Sequence, residues 1–144
     1  MRLGKDERDF AERQRIGHLA TADAAATPHV VPICFALVGE HFYFVIDEKP
    51  KRNRSSLKRL RNIAANPRVA LVFDEYDEDW SRLGFLLVQG RAGVVTARDE
   101  YGAVLEELRR RYRPYRDMPL QFESHPMIRI TPERHHLWRA AADE

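Results

Sequence analysis

A single cysteine, Cys34, stands in the 144 residues, so an internal disulfide is excluded. It lies in an apolar run and reads as a reduced core thiol. No apolar stretch is long enough to cross a bilayer as a helix. The opening segment, Met1-Arg2-Leu3-Gly4-Lys5-Asp6-Glu7-Arg8-Asp9, lacks the apolar core of a signal peptide, and a cytoplasmic address is expected. An excess of one charge is also missing. The 24 Lys and Arg against 22 Asp and Glu leave a net charge of +2, so no global field draws the chain to nucleic acid or to a membrane surface. Internal repeats and low-complexity linkers are absent. His125, His135 and His136 have no cysteine or carboxylate at ligand spacing, and no metal site is expected.

The chain suits one domain, 1–144, with a sizeable core. Its 44% hydrophobic and 32% charged residues are ordinary for a globular protein. The charge is patchy: Lys49, Lys51, Arg52, Arg54, Lys58, Arg59 and Arg61 follow one another with no acid between them. The acidic run Asp74-Glu75-Tyr76-Asp77-Glu78-Asp79 comes after. The basic block lies between two strand-like runs, Phe42 to Ile46 and Val69 to Phe73, rich in aromatic and β-branched residues. Within it Leu57, Leu60, Ile63 and Ala64 recur at helical spacing and are expected to face a core. Asn66-Pro67 ends that helix. Lys49, Lys51 and Arg52 therefore fall where a strand hands over to a helix, where free N–H groups and the positive end of the helix dipole gather. Cations added there make a site for a phosphate or other anion. A solvated helix face is the reading for Arg54, Lys58, Arg59 and Arg61; for Lys51 and Arg52 both readings stay open.

Taken in order, Asp6 to Arg15 reads as a short surface helix anchored by Phe10, and Ile16 to Ala22 as a first strand. Asp23 to Pro28 is a turn. Val30 to Val38 is apolar at odd and even positions and reads as one strand wetted on neither face, interrupted or bulged at Pro32. Gly39-Glu40 turns it into His41 to Ile46 as an antiparallel hairpin. Gly84 to Val95 is a long strand bent at its glycines. Thr96-Ala97-Arg98-Asp99 resembles a capping box before a helix whose Tyr101, Val104, Leu105, Leu108 and Tyr112 share a face. Residues 112–126 form an irregular connection, with Tyr112, Tyr115 and the arginines between them as a solvated helix end. Met127 to Thr131 is a strand, turned by Pro132-Glu133 into a short last one around His136-Leu137-Trp138, with Trp138 in the core. Six or seven mostly hairpin-linked strands with two or three outer helices predict a mainly β fold, an antiparallel barrel. Strands apolar on both faces need a second cover, and a homodimer is expected.

Leu19-Ala20-Thr21, Pro28 to Phe35, Lys49-Pro50-Lys51-Arg52, Asn62 to Leu71, Val88-Gln89-Gly90-Arg91-Ala92 and Arg129-Ile130-Thr131-Pro132, in that order and spacing, resemble the flavin-binding split β-barrel proteins of the pyridoxamine-phosphate-oxidase-like superfamily. The likeness spans about Ile16 to Trp138. Asp47 to Arg52 and Tyr76 to Leu83 are similar to the small actinobacterial oxidoreductases that use the deazaflavin coenzyme F420. The resemblance implies a homodimer with two cofactor sites at its interface. It implies a cofactor phosphate held by Lys51 and Arg52, with Lys49 and Pro50 beside them, and a ring along Val31-Pro32-Ile33 near Ile46 and Asp47. It further implies hydride transfer from F420 to a small organic acceptor, with no dedicated catalytic side chain. FMN is the alternative cofactor, and a non-catalytic binder of either is the alternative role. The family's vitamin B6 oxidases carry an Arg-Leu-x-Pro ending, replaced here by His136-Leu137-Trp138-Arg139. They place a flavin-contacting glutamine where Phe85 falls. Both departures argue against vitamin B6 oxidation. The turn 23–28 replaces the usual Asp-Gly. Trp80 reads either as a lid over the ring or as an anchor of its loop; His29 either as a strand-edge residue or as a neighbour of the cofactor phosphate. His18 reads as packed.

Overall fold

A computed structural model describes residues 2–47 and 54–140, the segment 54–57 by its backbone alone. Helix α1 (Lys5–Arg13) buries Phe10 and Ala11. Strand β1 (Gly17–Ala22) turns into β2 (Pro28–Ile33), and β3 (Ala36–Val38) into β4 (His41–Val45). Gly39 takes φ +59° in the second turn, a conformation that glycine adopts without strain. Helix α2 (Arg54–Ala65) precedes β5 (Arg68–Glu75). A 3-10 turn at Trp80–Arg82 leads to β6 (Gly84–Val94), helix α3 (Arg98–Arg111), a second 3-10 turn at Arg113–Asp117, and β7 (Met127–Arg139).

The seven strands form one antiparallel sheet in the order β2-β1-β5-β6-β7-β4-β3. Phe42 of β4 and Phe73 of β5 lie three strands apart in that order, about 14 Å in a flat sheet. Their rings nevertheless stack at 5.1 Å, and Phe35 tilts against Phe73 at 4.7 Å. The sheet is therefore curled into a split barrel with an aromatic centre. Leu19, Leu71, Leu86, Val88, Ile128 and Ile130 fill the rest of that interior. A second core lies outside the barrel, where Tyr101, Val104, Leu105 and Leu108 of α3 cover Ala36, Tyr43, Val45 and Met127. The helical face expected over 101–112 is thus buried, Tyr112 included.

Several expectations are corrected. The run 30–38 is two strands, not one. It breaks at Cys34-Phe35, two residues beyond Pro32, and the halves pair with β1 and β4 at opposite edges of the sheet. Its outward residues are wetted: Val30 is 63% exposed. No side chain caps α3, whose N-cap is Ala97. Met127 to Trp138 is one strand, because the register passes from Gln89–Arg134 to Gly90–Pro132 and accommodates Glu133 as a bulge. Gly90 permits this close passage: a Cβ there would sit 2.1 Å from the Thr131 carbonyl oxygen. Trp138 is 40% exposed, its ring tilted against Phe85 at 5.7 Å. In α2, Ile63 is buried and Leu60 packs against the core, but Ala64 is exposed; the side chain of Leu57 is outside the described residues. Asn62 is buried instead, donating from Nδ2 to Thr21 Oγ1 at 3.1 Å, which ties α2 to β1.

Candidate functional site

Where β2 gives way to β3, the chain crosses one end of the barrel and leaves a cavity of about 150 Å³. Pro32, Ile33, Cys34, Phe44, Val45, Asp47, Arg59 and Tyr115 line it. Four segments distant in sequence meet there: the crossover, the end of β4, helix α2 through Arg59, and the 3-10 turn after α3. Hydrogen bonds to backbone groups fix the β4 end, the turn and the crossover. Ile46 N–H donates to the Pro126 carbonyl at 2.8 Å, which sets the end of β4. Arg109 donates from Nε to the Tyr115 carbonyl at 3.0 Å and from Nη2 to the Met118 carbonyl at 2.7 Å, holding the turn that carries Tyr115.

The crossover is held most firmly. Phe35 N–H donates to Tyr112 Oη at 3.0 Å, and that hydroxyl donates to the Arg15 carbonyl at 2.9 Å. Arg111 donates from Nε to the Phe35 carbonyl at 2.9 Å and from Nη2 to the Gln14 carbonyl at 3.0 Å. Its guanidinium lies 4.8 Å from the Phe35 ring centre and Arg15's lies 4.7 Å from that of Tyr112, within cation–π range. The chain 112–115, expected to be solvated, is therefore structural: Tyr112 and Tyr115 are both buried.

The Tyr115 hydroxyl and the Cys34 thiol keep their protons. Burial pushes the Tyr115 hydroxyl up, and the Asp47 carboxylate and Cys34 add to the shift. Burial likewise pushes the Cys34 thiol up, against a smaller opposing effect of Tyr115. One wall thus sets the protonated Tyr115 hydroxyl against the Asp47 carboxylate and Cys34, with Arg59 on the same lining; Pro32, Ile33, Phe44 and Val45 form the apolar walls.

Of the residues predicted for the cofactor, Pro32, Ile33 and Asp47 come together here. Val31 packs partly buried against the barrel core, and Ile46 is buried within it. Trp80 is 67% exposed, hydrogen-bonded through Nε1 to Tyr76 Oη at 3.4 Å, and is not among the lining residues. Lys49, Pro50, Lys51 and Arg52 lie outside the described residues. Arg59, assigned from sequence to a solvated face, lines the cavity. Lys58 Nζ lies 3.7 Å from Asp23 Oδ2. His18 is half-exposed, its Nδ1 3.9 Å from Asp74 Oδ1.

Cys34, Arg59 and Tyr115 were not predicted for the site. The signal for Cys34 was its place at the end of the Pro32-Ile33 run; Tyr115 has none, since its approach depends on the arginine-held turn. His29 stands opposite Thr21 in the β1–β2 register, on the face that Asn62 of α2 covers. Its Nδ1 is buried and has no hydrogen-bond partner among the described residues, a polar atom suited to an oxygen-rich ligand entering beside α2. The cavity's mixed polar and apolar lining and this atom both suit a planar heterocycle with an anionic tail. A larger cleft of about 390 Å³, lined by Phe10, Arg13, Glu75, Ser81, Arg82, Leu83 and Arg139, contains none of the predicted residues. Two of its guanidiniums already face acids, Arg13 with Glu75 at 3.5 Å and Arg82 with Asp79 at 3.8 Å. The described residues contain no group of three or more His, Cys, Asp or Glu side chains able to hold a metal ion, and no helix among them is long and apolar enough to cross a membrane.

Among solved structures, one named "F420 Reductase" is 29% identical, with a TM-score of 0.63, covering 93% of this chain and 98% of that one. The haem storage protein HutZ of Vibrio cholerae is 22% identical with a TM-score of 0.72, over 96% of this chain and 95% of that one. A FAD-binding protein of Mesorhizobium loti is 20% identical with a TM-score of 0.68, over 92% of each. No curated protein sequence matches the chain. The family model described as pyridoxamine 5'-phosphate oxidase matches residues 3–139. With the curled seven-stranded sheet and its crossover cavity, that match establishes that the chain belongs to the pyridoxamine 5'-phosphate oxidase family.

Proposed function

We propose that the protein is an oxidoreductase that binds coenzyme F420 at the crossover cavity and passes a hydride to a small organic acceptor. The observation that carries this reading is the convergence of Pro32, Ile33 and Asp47 on a cavity lined by polar and apolar side chains, just ahead of the uninterrupted basic segment 49–61. The likeness to an F420 reductase at 29% identity supports it. The chemistry a bound deazaflavin supplies is hydride transfer. The chain's own part is to bind, to orient and to exclude water. Lys51 and Arg52, with Lys49 and Pro50, hold the anionic end, and Arg54 and Lys58 suit a longer polyanionic tail. Val31, Pro32 and Ile33 flank the ring, and Ile46 anchors Asp47 at its rim.

The working unit in this reading is a homodimer. The outer rows of β2, β1, β5, β6 and β7 carry Pro32-His18-Val72-Leu87-His136 and Val30-Ala20-Ala70-Gln89-Arg134. Beside them lies the exposed Trp138. Helix α3 covers the other part of the outer surface, over Ala36, Tyr43 and Val45. A second copy on the first part removes Val30 from water. Trp80, away from its own cavity, serves a ring site only through such a copy.

The test is the absorbance spectrum of protein purified from a host that makes both cofactors, followed by titration with F420 and with FMN. The expected result is F420 uptake, weakened at least tenfold by Lys51→Ala with Arg52→Ala, and a two-chain mass by light scattering. Tight FMN binding without F420 binding turns the reading to an FMN-dependent oxidoreductase. Tight binding without turnover over quinone, enone and flavin acceptors turns it to a non-catalytic binder.

A further inference from the structure

The cleft beside α1, of about 390 Å³, shares no lining residue with the crossover cavity. Glu75 of β5, Gly84 of β6 and Arg139 of β7 form one row across the sheet. The middle position has no side chain, and a Cβ there would meet the Phe10 ring at 2.9 Å. Phe10, 1% exposed, packs on that glycine as the floor. Glu75 and Arg139 stand to either side, about 10 Å apart at the backbone. The end of β7 is fixed by Ala140 N–H, which donates to the Leu83 carbonyl at 3.0 Å. Arg82 comes from the 3-10 turn, where the Asp79 carboxylate accepts from Ser81 N–H at 3.1 Å and from Ser81 Oγ at 2.8 Å. Arg13 comes from the last turn of α1. Side chains alternate along β7, so Arg139 faces away from the sheet surface that carries Trp138 and the second copy proposed above.

Charge is unbalanced in this cleft. Arg13, Arg82 and Arg139 line it against one acid, Glu75; three positive charges less one negative leave +2. The pairs that exist are loose. Arg13 meets Glu75 at 3.5 Å, with both side chains about half exposed. Arg82 Nε stays 3.8 Å from Asp79, beyond hydrogen-bond range. Asp9, which feels Arg13 and Arg139 through space, is taken by Lys5 at 2.6 Å. Arg139 has no hydrogen bond or ion pair among the described residues. Exposed ion pairs of this kind contribute little, so an entering anion displaces them at small cost. A carboxylate has two oxygens and is satisfied by one guanidinium fork. A phosphate monoester keeps three, splayed so that forks from several sides reach them, and its charge, close to −2 at neutral pH, matches the excess. Phe10 and Leu83 supply apolar contact for an organic group, and the volume lies in the range of small-molecule sites.

We propose that this cleft is a second binding site, for a small phosphate monoester: Arg82 and Arg139 grip the phosphate oxygens, Arg13 flanks them, and Phe10 and Leu83 lie against the organic group. Glu75 opposes the phosphate and so limits its affinity. The site is independent of the function proposed above, since it uses none of the residues assigned there to F420 or FMN.

The experiment titrates the full chain with phenyl phosphate, and with inorganic phosphate and benzoate for comparison, following backbone amides and methyl groups by two-dimensional NMR. Expected is a saturable shift of the Gly84 amide and the Leu83 methyls. Inorganic phosphate is expected to bind about fivefold more weakly for want of apolar contact, and benzoate about tenfold more weakly. Arg139→Gln, at an exposed strand end, weakens phenyl phosphate about tenfold. Glu75→Gln tightens it about threefold, which the loss of a merely structural carboxylate would not do. Neither substitution changes F420 or FMN uptake. The site is overturned by the absence of a saturable shift at Gly84 and Leu83, or by shifts confined to the crossover cavity and the basic segment. Phenyl phosphate binding that Arg139→Gln leaves unaltered overturns it too. Benzoate binding as tightly as phenyl phosphate overturns the monoester assignment. A native protein that takes up neither F420 nor FMN, yet binds phenyl phosphate at Gly84, supports the cleft and overturns the function proposed above.

Discussion

Tyr112→Phe isolates one oxygen on which the crossover depends. In the native protein that oxygen accepts the Phe35 N–H at 3.0 Å and a longer bond from Arg111 Nη2 at 3.3 Å, and donates to the Arg15 carbonyl at 2.9 Å. The substitution keeps the ring, so no cavity forms and the packing on Tyr115, 5.8 Å between centroids, is retained. What changes most is the Phe35 amide, in a fully buried residue, which loses its only partner among the described residues; Arg111 Nη2 loses the same oxygen but keeps the Gln14 carbonyl at 3.0 Å. A buried donor left unsatisfied costs about 1–3 kcal/mol; the Arg15 carbonyl, near the surface, recovers water and adds little. Taking about 2 kcal/mol, and an unfolding entropy of about 0.3 kcal/mol/K for a chain of this size, Tm falls by about 6–7 °C. Thermal unfolding followed by circular dichroism measures this. Tyr101→Phe is the control, since its hydroxyl only donates to the His125 carbonyl at 2.7 Å and its loss strands no amide; about 1 kcal/mol is expected there. A Tm change below about 2 °C for Tyr112→Phe, or one no larger than for Tyr101→Phe, would show that the crossover does not rest on this hydroxyl.

Other outcomes follow from the same geometry. Gly90→Ala drives a methyl against the Thr131 backbone, 2.1 Å from its carbonyl oxygen, and is expected to destabilise by about 3 kcal/mol or to abolish soluble expression; Gly102→Ala, in open space on α3, is expected to stabilise by about 0.8–1 kcal/mol in urea unfolding. Glu100 accepts from Tyr43 Oη at 2.7 Å and from Arg129 Nη1 at 2.8 Å, and these contacts hold its carboxyl below the usual value of 4.5. Its contribution is therefore complete above pH 4.5 and lost as pH falls through the lower folded value, and Glu100→Gln is expected to flatten stability against pH in that acid range. Burial, then Glu100, pushes Tyr43 from 10 to about 12; stability falls as pH rises between those values, because the unfolded chain gives up the proton first, and Tyr43→Phe is expected to remove that alkaline slope.

The sequence makes the hairpin at Gly39-Glu40, the α3 face and the strands bounding the basic segment legible, since each is a local pattern of period or turn. The division of Val30–Val38 is not legible, because apolar residues continue through Cys34 and Phe35 and only pairing with β1 and β4 sets the break. Pro32 signals an interruption, yet its missing N–H matters little on an edge strand. Residues 109–116 mislead for another reason. Charge-rich text reads as solvent-facing, but Arg109, Arg111 and Arg116 spend their guanidiniums on backbone carbonyls, so Tyr112 and Tyr115 are turned inward. In the site, Pro32, Ile33 and Asp47 follow from the family pattern; Tyr115 arrives only through tertiary structure.

The two border strands of the sheet, β2 and β3, are consecutive in the chain, joined by Cys34 and Phe35 alone. A loop that short leaves almost no closure entropy to overcome, so the curl is enforced by connectivity. The late event in folding is then docking of the C-terminal strand, where Ile130 must find Phe42 across most of the chain. Such a long-range pairing slows assembly, and the flank of β4 stays unpaired until β7 docks on it.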